Sequence, residues 1–353
     1  MKRAVATVAV VAGSLFVVAN IYWFTWQLQA TRGKANHLAT TASTFRFSLT
    51  NSSATVLCVQ PLVPVYDRVL LDDLPHNTRK IPRTIHISMK SRCLPKDLAY
   101  GVQKWKDALP DHSLYFHDDN AVDRLFHSGW PEFPDLLTVM KCVRKGAMKI
   151  DVWRLLVLYR YGGIYTDIDN WPGPRINDWI RKTDTAFFVS DAYQRPSQWF
   201  MAMEPRHPIA YYSMLEVLQR VLDLPNVNQP KVVITTGPDA VKHGFGRALL
   251  WQWNAHVSDH VETFRAVGNR IVRKISFDKY SQVVDTPQSF FKELVAWNST
   301  ENITRKERIY REAEMMHWQK EIYKSSKSKR TRVSCRELLV AEMQRANNGS
   351  TIQ

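Results

Sequence analysis

The sequence has few of the residues that define several common classes of protein. Its 353 residues include only 4 Cys, 13 Gly and 17 Pro, which excludes a dense disulfide scaffold, a collagen-like repeat and a low-complexity chain. No two cysteines form a C-x2-C pair, the spacing typical of structural zinc sites, so zinc is not expected. Acidic residues are fewer than basic ones: the chain has 33 Asp and Glu and 48 Lys and Arg, which gives a net charge of +15. Nucleic acids, lipid headgroups and nucleotide phosphates are therefore candidate partners, and charge alone does not choose among them.

The remaining composition is that of an ordinary globular protein. Hydrophobic residues make up 45% of the chain and charged residues 23%, which argues against a multi-span membrane protein and against a disordered one. A typical domain has about 150 residues, so the length predicts roughly two domains.

One long uncharged run stands at the N-terminus. Residues 4–24 carry no charge, and about 21 residues at about 1.5 Å each span a bilayer core of about 30 Å. Trp23 and Trp26 follow at its far end, where an aromatic belt belongs. Residues 1–30 are therefore predicted to be a cytosolic tip and an uncleaved signal-anchor helix, with a cleaved signal peptide or a buried soluble helix as alternatives. The very short head favours a single-pass type II protein with a lumenal body.

Sequons and cysteines bear on that orientation. N-x-S/T triplets begin at Asn51, Asn298, Asn302 and Asn348, all outside the segment interpreted below as the catalytic body. In an oxidising lumen the four cysteines can pair in three ways, which the sequence does not separate. Cys142, beside an apolar helix, could equally be a buried thiol.

Strand and helix patterns alternate along the rest of the chain, which favours an α/β sheet. Residues 31–79 are polar and are predicted to be a stem, followed by a catalytic domain over 80–295 and a charged C-terminal extension over 296–353. The periodicity predicts strands over 81–89, 113–116, 186–190, 232–236 and 270–276, and helices over 94–109 and 208–222.

The most informative segment is 146–174. Apolar residues at i, i+3, i+4 and i+7 from Val152 predict a helix packed on a core, while Asp151 and Arg154 share another face. Gly162 and Gly163 then predict the end of that helix, because glycine accepts the left-handed conformation found there.

An alternating strand follows the two glycines. Tyr165, Asp167 and Asp169 are expected to point the same way from it, which places two carboxylates together near Asp151 and Arg154. Such a cluster needs a cation, and Mn2+ or Mg2+ prefers one or two carboxylates together with substrate phosphates. An acidic turn is the alternative, since D-x-D alone carries almost no information. The position at the end of a strand in an α/β sheet, where ligands usually bind, favours a metal-diphosphate site.

These motifs resemble a known family. The D-x-x-R at Asp151, YGGIY at 161–165 and D-I-D at Asp167, with IPRTIH at 81–86, look like the signature of the DXD-containing glycosyltransferases of family 32. That family includes the yeast-type Golgi initiating α-1,6-mannosyltransferase and the mannosyl inositol-phosphoceramide synthases. The resemblance covers about residues 80–240. It implies a GT-A-type, Rossmann-like mixed sheet flanked by helices, a nucleotide-sugar donor, Mn2+ or Mg2+, retention of anomeric configuration and a Golgi or ER membrane location.

The resemblance also implies roles for individual residues. Asp169 would hold the metal that bridges the donor diphosphate, and Asp167 would share that metal; these two are the expected catalytic residues. The expected donor-binding residues are Asp151, Arg154, Asp167 and Tyr165. Members of the family also place a C-terminal His-x-Trp or His-His-Trp patch at the metal, of which only His317-Trp318 remains here, so His317 is a weaker candidate ligand. TGP at 236–238 is a further, fainter similarity.

Three classes of function fit parts of the sequence. A membrane-anchored glycosyltransferase explains the anchor, the stem, the motif and the basic charge. A metal-dependent phosphohydrolase or nuclease explains the carboxylates and the charge, but it offers no further Asp or His ligands at sensible spacing and no reason for a lumenal anchor. A basic membrane adaptor explains the charge only. The glycosyltransferase is favoured, with GDP-mannose as the first donor and UDP-hexose as the alternative. The acceptor is expected to be a glycan or a glycolipid. The protein is also expected to bind a membrane and not nucleic acid.

The anchor and the sequons generate a testable topology. Residues beyond about 30 are expected to be lumenal, and at least one of Asn298 and Asn302 to carry a glycan. In sealed microsomes the body should resist added protease, and deglycosylation should increase its electrophoretic mobility. Digestion of the body without a mobility shift would show the opposite orientation.

Overall fold

The computed structural model describes residues 56–70, 79–249, 256–285 and 331–349. The predicted signal-anchor helix, three of the four sequons and His317 lie outside these residues. None of the described helices is both long and apolar enough to cross a membrane.

A mixed sheet forms the centre of the described residues. Twelve strands are found there, in chain order β1 Val63–Pro64, β2 Thr84–Ser88, β3 Cys93–Leu94, β4 Ser113–His117, β5 Gly163–Thr166, β6 Trp171–Pro172, β7 Ala186–Ser190, β8 Pro196–Met203, β9 His256–Ser258, β10 Val261–Ala266, β11 Arg270–Ile275 and β12 Val284–Asp285. Eight of them make one sheet in the order β4-β2-β5-β8-β7-β11-β10-β9. Parallel pairs join β4, β2 and β5, and β8 is antiparallel to both β5 and β7. The predicted α/β class with a mixed sheet is therefore confirmed.

Helices cover both faces of this sheet. In chain order they are α1 Lys96–Ala108, α2 Asp119–His127, α3 Leu136–Met140, α4 Gly146–Tyr161, α5 Ile176–Trp179, α6 Pro208–Leu222, α7 Val232–Thr235, α8 Pro238–Ala248 and α9 Cys335–Gly349. One apolar core lies between the sheet and the group α2, α4, α6 and α8, and a second lies against α1. Residues of β5 alternate between the two, because Ile164 belongs to the second core and Tyr165 to the first.

The strand predicted over 232–236 is wrong, since residues 232–235 form the one-turn helix α7. Its β-branched residues have high strand propensity, yet only Val232 and Thr235 are buried. Burial three residues apart matches a helix and not a strand, so tertiary packing overrides local propensity. Strand β8 was not predicted, because nearly every residue in it is buried and the sequence therefore shows no alternation.

The four cysteines form two disulfides. Cys58 pairs with Cys93, and Cys142 pairs with Cys335, so the alternative of a buried free thiol at Cys142 is wrong. The second bond ties α9 to Cys142, two residues after the end of α3. Helix α9 lies against the first core. Part of the predicted C-terminal extension thus packs on the body.

Residues 56–70, which fall within the predicted stem, also contact the body. Strand β1 pairs with β3, and the backbone of Arg68 exchanges hydrogen bonds with Leu114 of β4 at 2.9 and 2.7 Å. The Arg68 guanidinium donates to the carbonyl oxygens of Lys106, Leu109 and His112. This segment is therefore fixed to one edge of the sheet.

The two disulfides differ in the length of chain that they close, and this generates a stability prediction. Replacing Cys142 and Cys335 by Ala removes a link across 193 residues and should lower the free energy of unfolding by about 2–5 kcal/mol, because the unfolded chain gains entropy. The matched control replaces Cys58 and Cys93, whose separation is 35 residues, and should cost less. Urea denaturation of both double variants measures the difference, and a larger loss in the control would contradict the expectation.

Candidate functional site

A two-glycine turn brings the predicted site residues together. Gly162, with φ 66°, ends α4, and Gly163, with φ 95°, opens β5. A Cβ atom on Gly163 would lie 2.5 Å from the carbonyl oxygen of Thr84, closer than real contacts allow. Both positions therefore require glycine, and the turn folds β5 back beside the helix that precedes it.

Arg154 lies at the centre of the site. Its side chain projects from α4 and is almost completely buried. Nη1 donates to the backbone carbonyl oxygen of Gln198 at 3.0 Å. Nη2 is 3.3 Å from Oδ1 of Asp151 and 3.5 Å from Oδ1 of Asp167, and the guanidinium stacks 4.8 Å from the ring centre of Tyr165. One cation thus links the helix face to the end of the strand, as the sequence predicted.

Asp151 is held from its other side by a residue distant in sequence. The Thr236 hydroxyl donates to Oδ2 of Asp151 at 2.7 Å, and Thr236 is itself completely buried. Burial raises the pKa of the Asp151 carboxyl and the nearby charge of Asp167 adds to this, whereas Arg154 and the Thr236 hydroxyl oppose it. These two partners therefore support the ionised form of a carboxyl group that its surroundings disfavour.

Asp167 and Asp169 lie just beyond the end of β5. The strand ends at Thr166, so the predicted alternation stops before both carboxylates, which belong to the turn that follows. The Tyr165 hydroxyl donates to Oδ1 of Asp167 at 2.6 Å. The side chain of Asp167 is 32% exposed, whereas Asp169 is only 6% exposed. The turn therefore presents one accessible carboxylate beside a buried one.

The charge states of the central residues follow from their neighbours. Burial alone would lower the pKa of Arg154, but Tyr165 and the carboxylates around it outweigh burial and raise that pKa. Burial also raises the pKa of the Tyr165 phenol well above its usual range. Arg154 is thus a permanent cation and Tyr165 a permanent hydrogen-bond donor at neutral pH.

Two carboxylates of the site, Asp151 and Asp167, lie within 3.5 Å of the Arg154 guanidinium. No group of three or more His, Cys, Asp or Glu side chains in the described ranges is arranged to hold a metal ion by itself. The donor set of Asp167 and Asp169 nevertheless suits a hard divalent cation that takes its other ligands from phosphate oxygens. Asp167 and Asp169 are therefore the residues that would hold such an ion.

Sequence reasoning missed two residues of the site. Gln198 lies in the unpredicted strand β8, and Thr236 follows α7. The side-chain amide of Gln198 donates to the carbonyl oxygen of Thr236 at 2.9 Å, so the two are joined. The only signal in the sequence was the faint TGP similarity at 236–238.

A family model matches the part of the chain that contains the site. Residues 93–186 match the model of the family described as glycosyltransferase sugar-binding region containing DXD motif. The matched residues include α4, the two-glycine turn and the carboxylates that follow β5.

Curated relatives and one solved structure are also similar. The chain is 28% identical over 106 residues, 30% of its length, to an initiation-specific alpha-1,6-mannosyltransferase of Candida albicans. It is 28% identical over 128 residues, 36% of its length, to the mannosyl phosphorylinositol ceramide synthase CSH1 of Saccharomyces cerevisiae. The chain spans 28% and 33% of the lengths of these two relatives. The PaToxG glycosyltransferase aligns over 48% of this chain and 70% of its own, with 16% identity and a TM-score of 0.37, which is too low to establish a shared fold. The family match and the curated relatives confirm the resemblance predicted from the motifs: residues 93–186 correspond to the sugar-binding region of the DXD-containing glycosyltransferases.

Proposed function

We propose that the chain is a membrane-anchored, retaining glycosyltransferase that moves a hexose, with mannose favoured, from a nucleotide sugar to a glycan or glycolipid. The observation that carries the proposal is the buried guanidinium of Arg154 held between Asp151 and Asp167 within the residues that match the DXD family. A GT-A-type arrangement is proposed on the same grounds.

The donor sugar would lie against Arg154. This residue keeps its positive charge, and its Nε atom is buried without a hydrogen-bond partner. Unused buried donors are rare in native proteins, so a ligand oxygen is a natural partner here. Asp151 and Asp167 supply acceptors on either side of the guanidinium, and the three groups would orient the sugar through its hydroxyls. Tyr165 would act through Asp167, whose carboxylate it fixes.

The donor diphosphate would lie at the open side of the turn. Families of the DXD type are generally dependent on a divalent cation, and Mn2+ or Mg2+ held by Asp169 and Asp167 would neutralise the charge that develops on the departing diphosphate. Arg154 adds a fixed positive charge that needs no reorganisation when the glycosidic bond breaks. His317 is retained as a proposed further ligand.

Retention of configuration needs no enzyme nucleophile in this proposal. In a front-face mechanism the leaving diphosphate itself accepts the proton of the acceptor hydroxyl, and the new bond forms on the face that the diphosphate leaves. Asp151 is already engaged by Thr236 and Arg154, and Asp167 by Tyr165. These contacts suit carboxylates that position a sugar rather than attack it.

The names of the relatives support the choice of substrates. One is named as an alpha-1,6-mannosyltransferase and another as a mannosyl phosphorylinositol ceramide synthase, so mannose is the favoured sugar and GDP-mannose the favoured donor. UDP-hexose is the alternative donor. N-glycans and inositol phospholipids are the two candidate acceptors.

We propose a Golgi or ER location with the body in the lumen. Two disulfides that together use all four cysteines suit an oxidising compartment. Residues 1–30 would then anchor the protein and 31–79 would lead from the membrane to the body, with 56–70 packed against it. Residues 80–295 would carry catalysis and 296–353 would complete the C-terminal part.

A donor assay with a carboxylate variant tests the function. Purified protein is incubated with labelled GDP-mannose or UDP-hexose and Mn2+, with and without EDTA, and sugar transfer and slow donor hydrolysis are measured. Asp169→Asn removes a charged hard ligand while nearly preserving shape, so the rate should fall about a hundredfold or more. Asp178→Asn, which changes an exposed carboxylate on α5, is the matched control and should retain activity. EDTA-resistant transfer or an active Asp169→Asn would contradict the metal role, and phosphodiester cleavage without transfer would replace the proposed reaction.

A second variant tests the grip on the donor sugar. Arg154→Lys keeps a positive charge, but an ammonium cannot reach Gln198, Asp151 and Asp167 together as the planar guanidinium does. We expect kcat/KM for the donor to fall about a hundredfold, with a smaller change in melting temperature than in rate. Arg160→Lys, in the last turn of the same helix, controls for the general effect of the substitution. Wild-type turnover in Arg154→Lys would show that Arg154 does not bind the donor.

A further inference from the structure

The guanidinium of Arg154 is not closed on either of its carboxylates. Hydrogen bonds between charged nitrogen and oxygen atoms are usually about 2.7–2.9 Å long, whereas Nη2 of Arg154 lies 3.3 Å from Asp151 and 3.5 Å from Asp167. One nitrogen atom is shared between the two carboxylates, and neither contact has the short geometry that a buried ion pair needs to offset its desolvation cost. The position of Asp151 therefore depends on its other partner as well as on Arg154.

A frame of two buried residues accounts for the separation. Thr236 donates to Asp151 at 2.7 Å, a shorter contact than the 3.3 Å between that carboxylate and Arg154. Gln198 accepts from Arg154 through its backbone oxygen and donates through its side-chain amide to the Thr236 carbonyl oxygen. The frame thus joins β8 to the end of α7, and it grips Asp151 and Arg154 from opposite sides.

We propose that Thr236 is a positioning residue whose hydroxyl holds Asp151 away from Arg154 and so keeps the guanidinium open for the donor sugar. This inference rests on the proposed function. Without the hydroxyl, the nearest remaining partner of Asp151 is Arg154, and the carboxylate closes on it as a tight ion pair. Arg154 then moves away from Asp167, and the two groups no longer match the spacing of the sugar hydroxyls.

The frame also contains a buried acceptor without a hydrogen-bond partner, the side-chain oxygen of Gln198. Gln198 is 2% exposed, and its Oε1 atom is buried without a hydrogen-bond partner, as is Nε of Arg154. A buried acceptor and a buried donor left open in one cluster are costly unless a ligand completes them. A sugar hydroxyl both donates and accepts, but it would reach these two buried atoms only after a shift that exposes them.

Three variants separate positioning from simple structural support. Thr236→Val keeps the shape and removes the hydroxyl, and Thr236→Ser keeps the hydroxyl. Thr235→Val is the matched control, because Thr235 is a buried neighbour in α7 whose hydroxyl donates to the backbone carbonyl oxygen of Lys231, the residue before that helix. We expect Thr236→Val to lower kcat about a hundredfold with a smaller change in donor KM, since the diphosphate is bound elsewhere. Thr236→Ser should restore most of the rate, and Thr235→Val should leave it unchanged.

A double variant identifies the route of the effect. In an Asp151→Asn background no ion pair can close, so adding Thr236→Val should lower the residual rate little further. Equal losses in Thr236→Val and Thr235→Val, no rescue by Ser, or fully additive losses with Asp151→Asn would each overturn the inference.

Binding of the donor separates this inference from the function on which it rests. If the wild-type protein transfers sugar and Thr236→Val transfers it equally well, the role of Thr236 is refuted and the proposed function is not. Wild-type protein that neither binds GDP-mannose or UDP-hexose in calorimetry nor turns them over refutes the proposed function, and the role of Thr236 with it.

Discussion

A single buried positive charge sets the geometry of the site. Removing a guanidinium from water is costly unless acceptors surround it, and for Arg154 these acceptors come from α4 itself, from the turn after β5 and from the backbone of β8. The helix, the central strand and its antiparallel neighbour must therefore keep a fixed relation. The apolar core between α4 and the sheet supplies the rigidity, and Arg154 determines where the polar groups meet within it.

The acidic groups around Arg154 differ in their environments. Asp151 lies deep and is engaged on both oxygens, whereas Asp167 is partly open and touches the guanidinium only loosely. Carboxyl groups in unlike surroundings take unlike tasks, because the buried one is fixed and the open one can exchange partners. In the proposed enzyme the deep carboxylate would orient the sugar and the open one would face the metal and diphosphate.

The sequence predicts those parts of the site that depend on local order. One continuous segment contains the apolar pattern of α4, the two glycines and the short strand β5. The proximity of Asp151, Arg154 and Asp167 could therefore be predicted without knowing the rest of the fold. Gln198 and Thr236 could not, because their contacts cross 44 and 85 residues and depend on packing. Dependence on packing also explains the wrong prediction at α7. Its β-branched residues prefer a strand, but burial of one side of the chain there favours a helical turn.

The attachment of residues 56–70 also affects how a shortened form of the protein would behave in solution. Strand β4 is the last strand at its side of the sheet, and Arg68 occupies part of its outer edge through backbone hydrogen bonds. Open strand edges recruit strands from other molecules and promote aggregation. A soluble fragment cut at residue 80, where the polar stretch ends in the sequence, would lose this cover together with the partner of Cys93. A fragment that begins before Cys58 retains both, so the useful start of a secreted form lies inside the region that composition alone assigns to a stem.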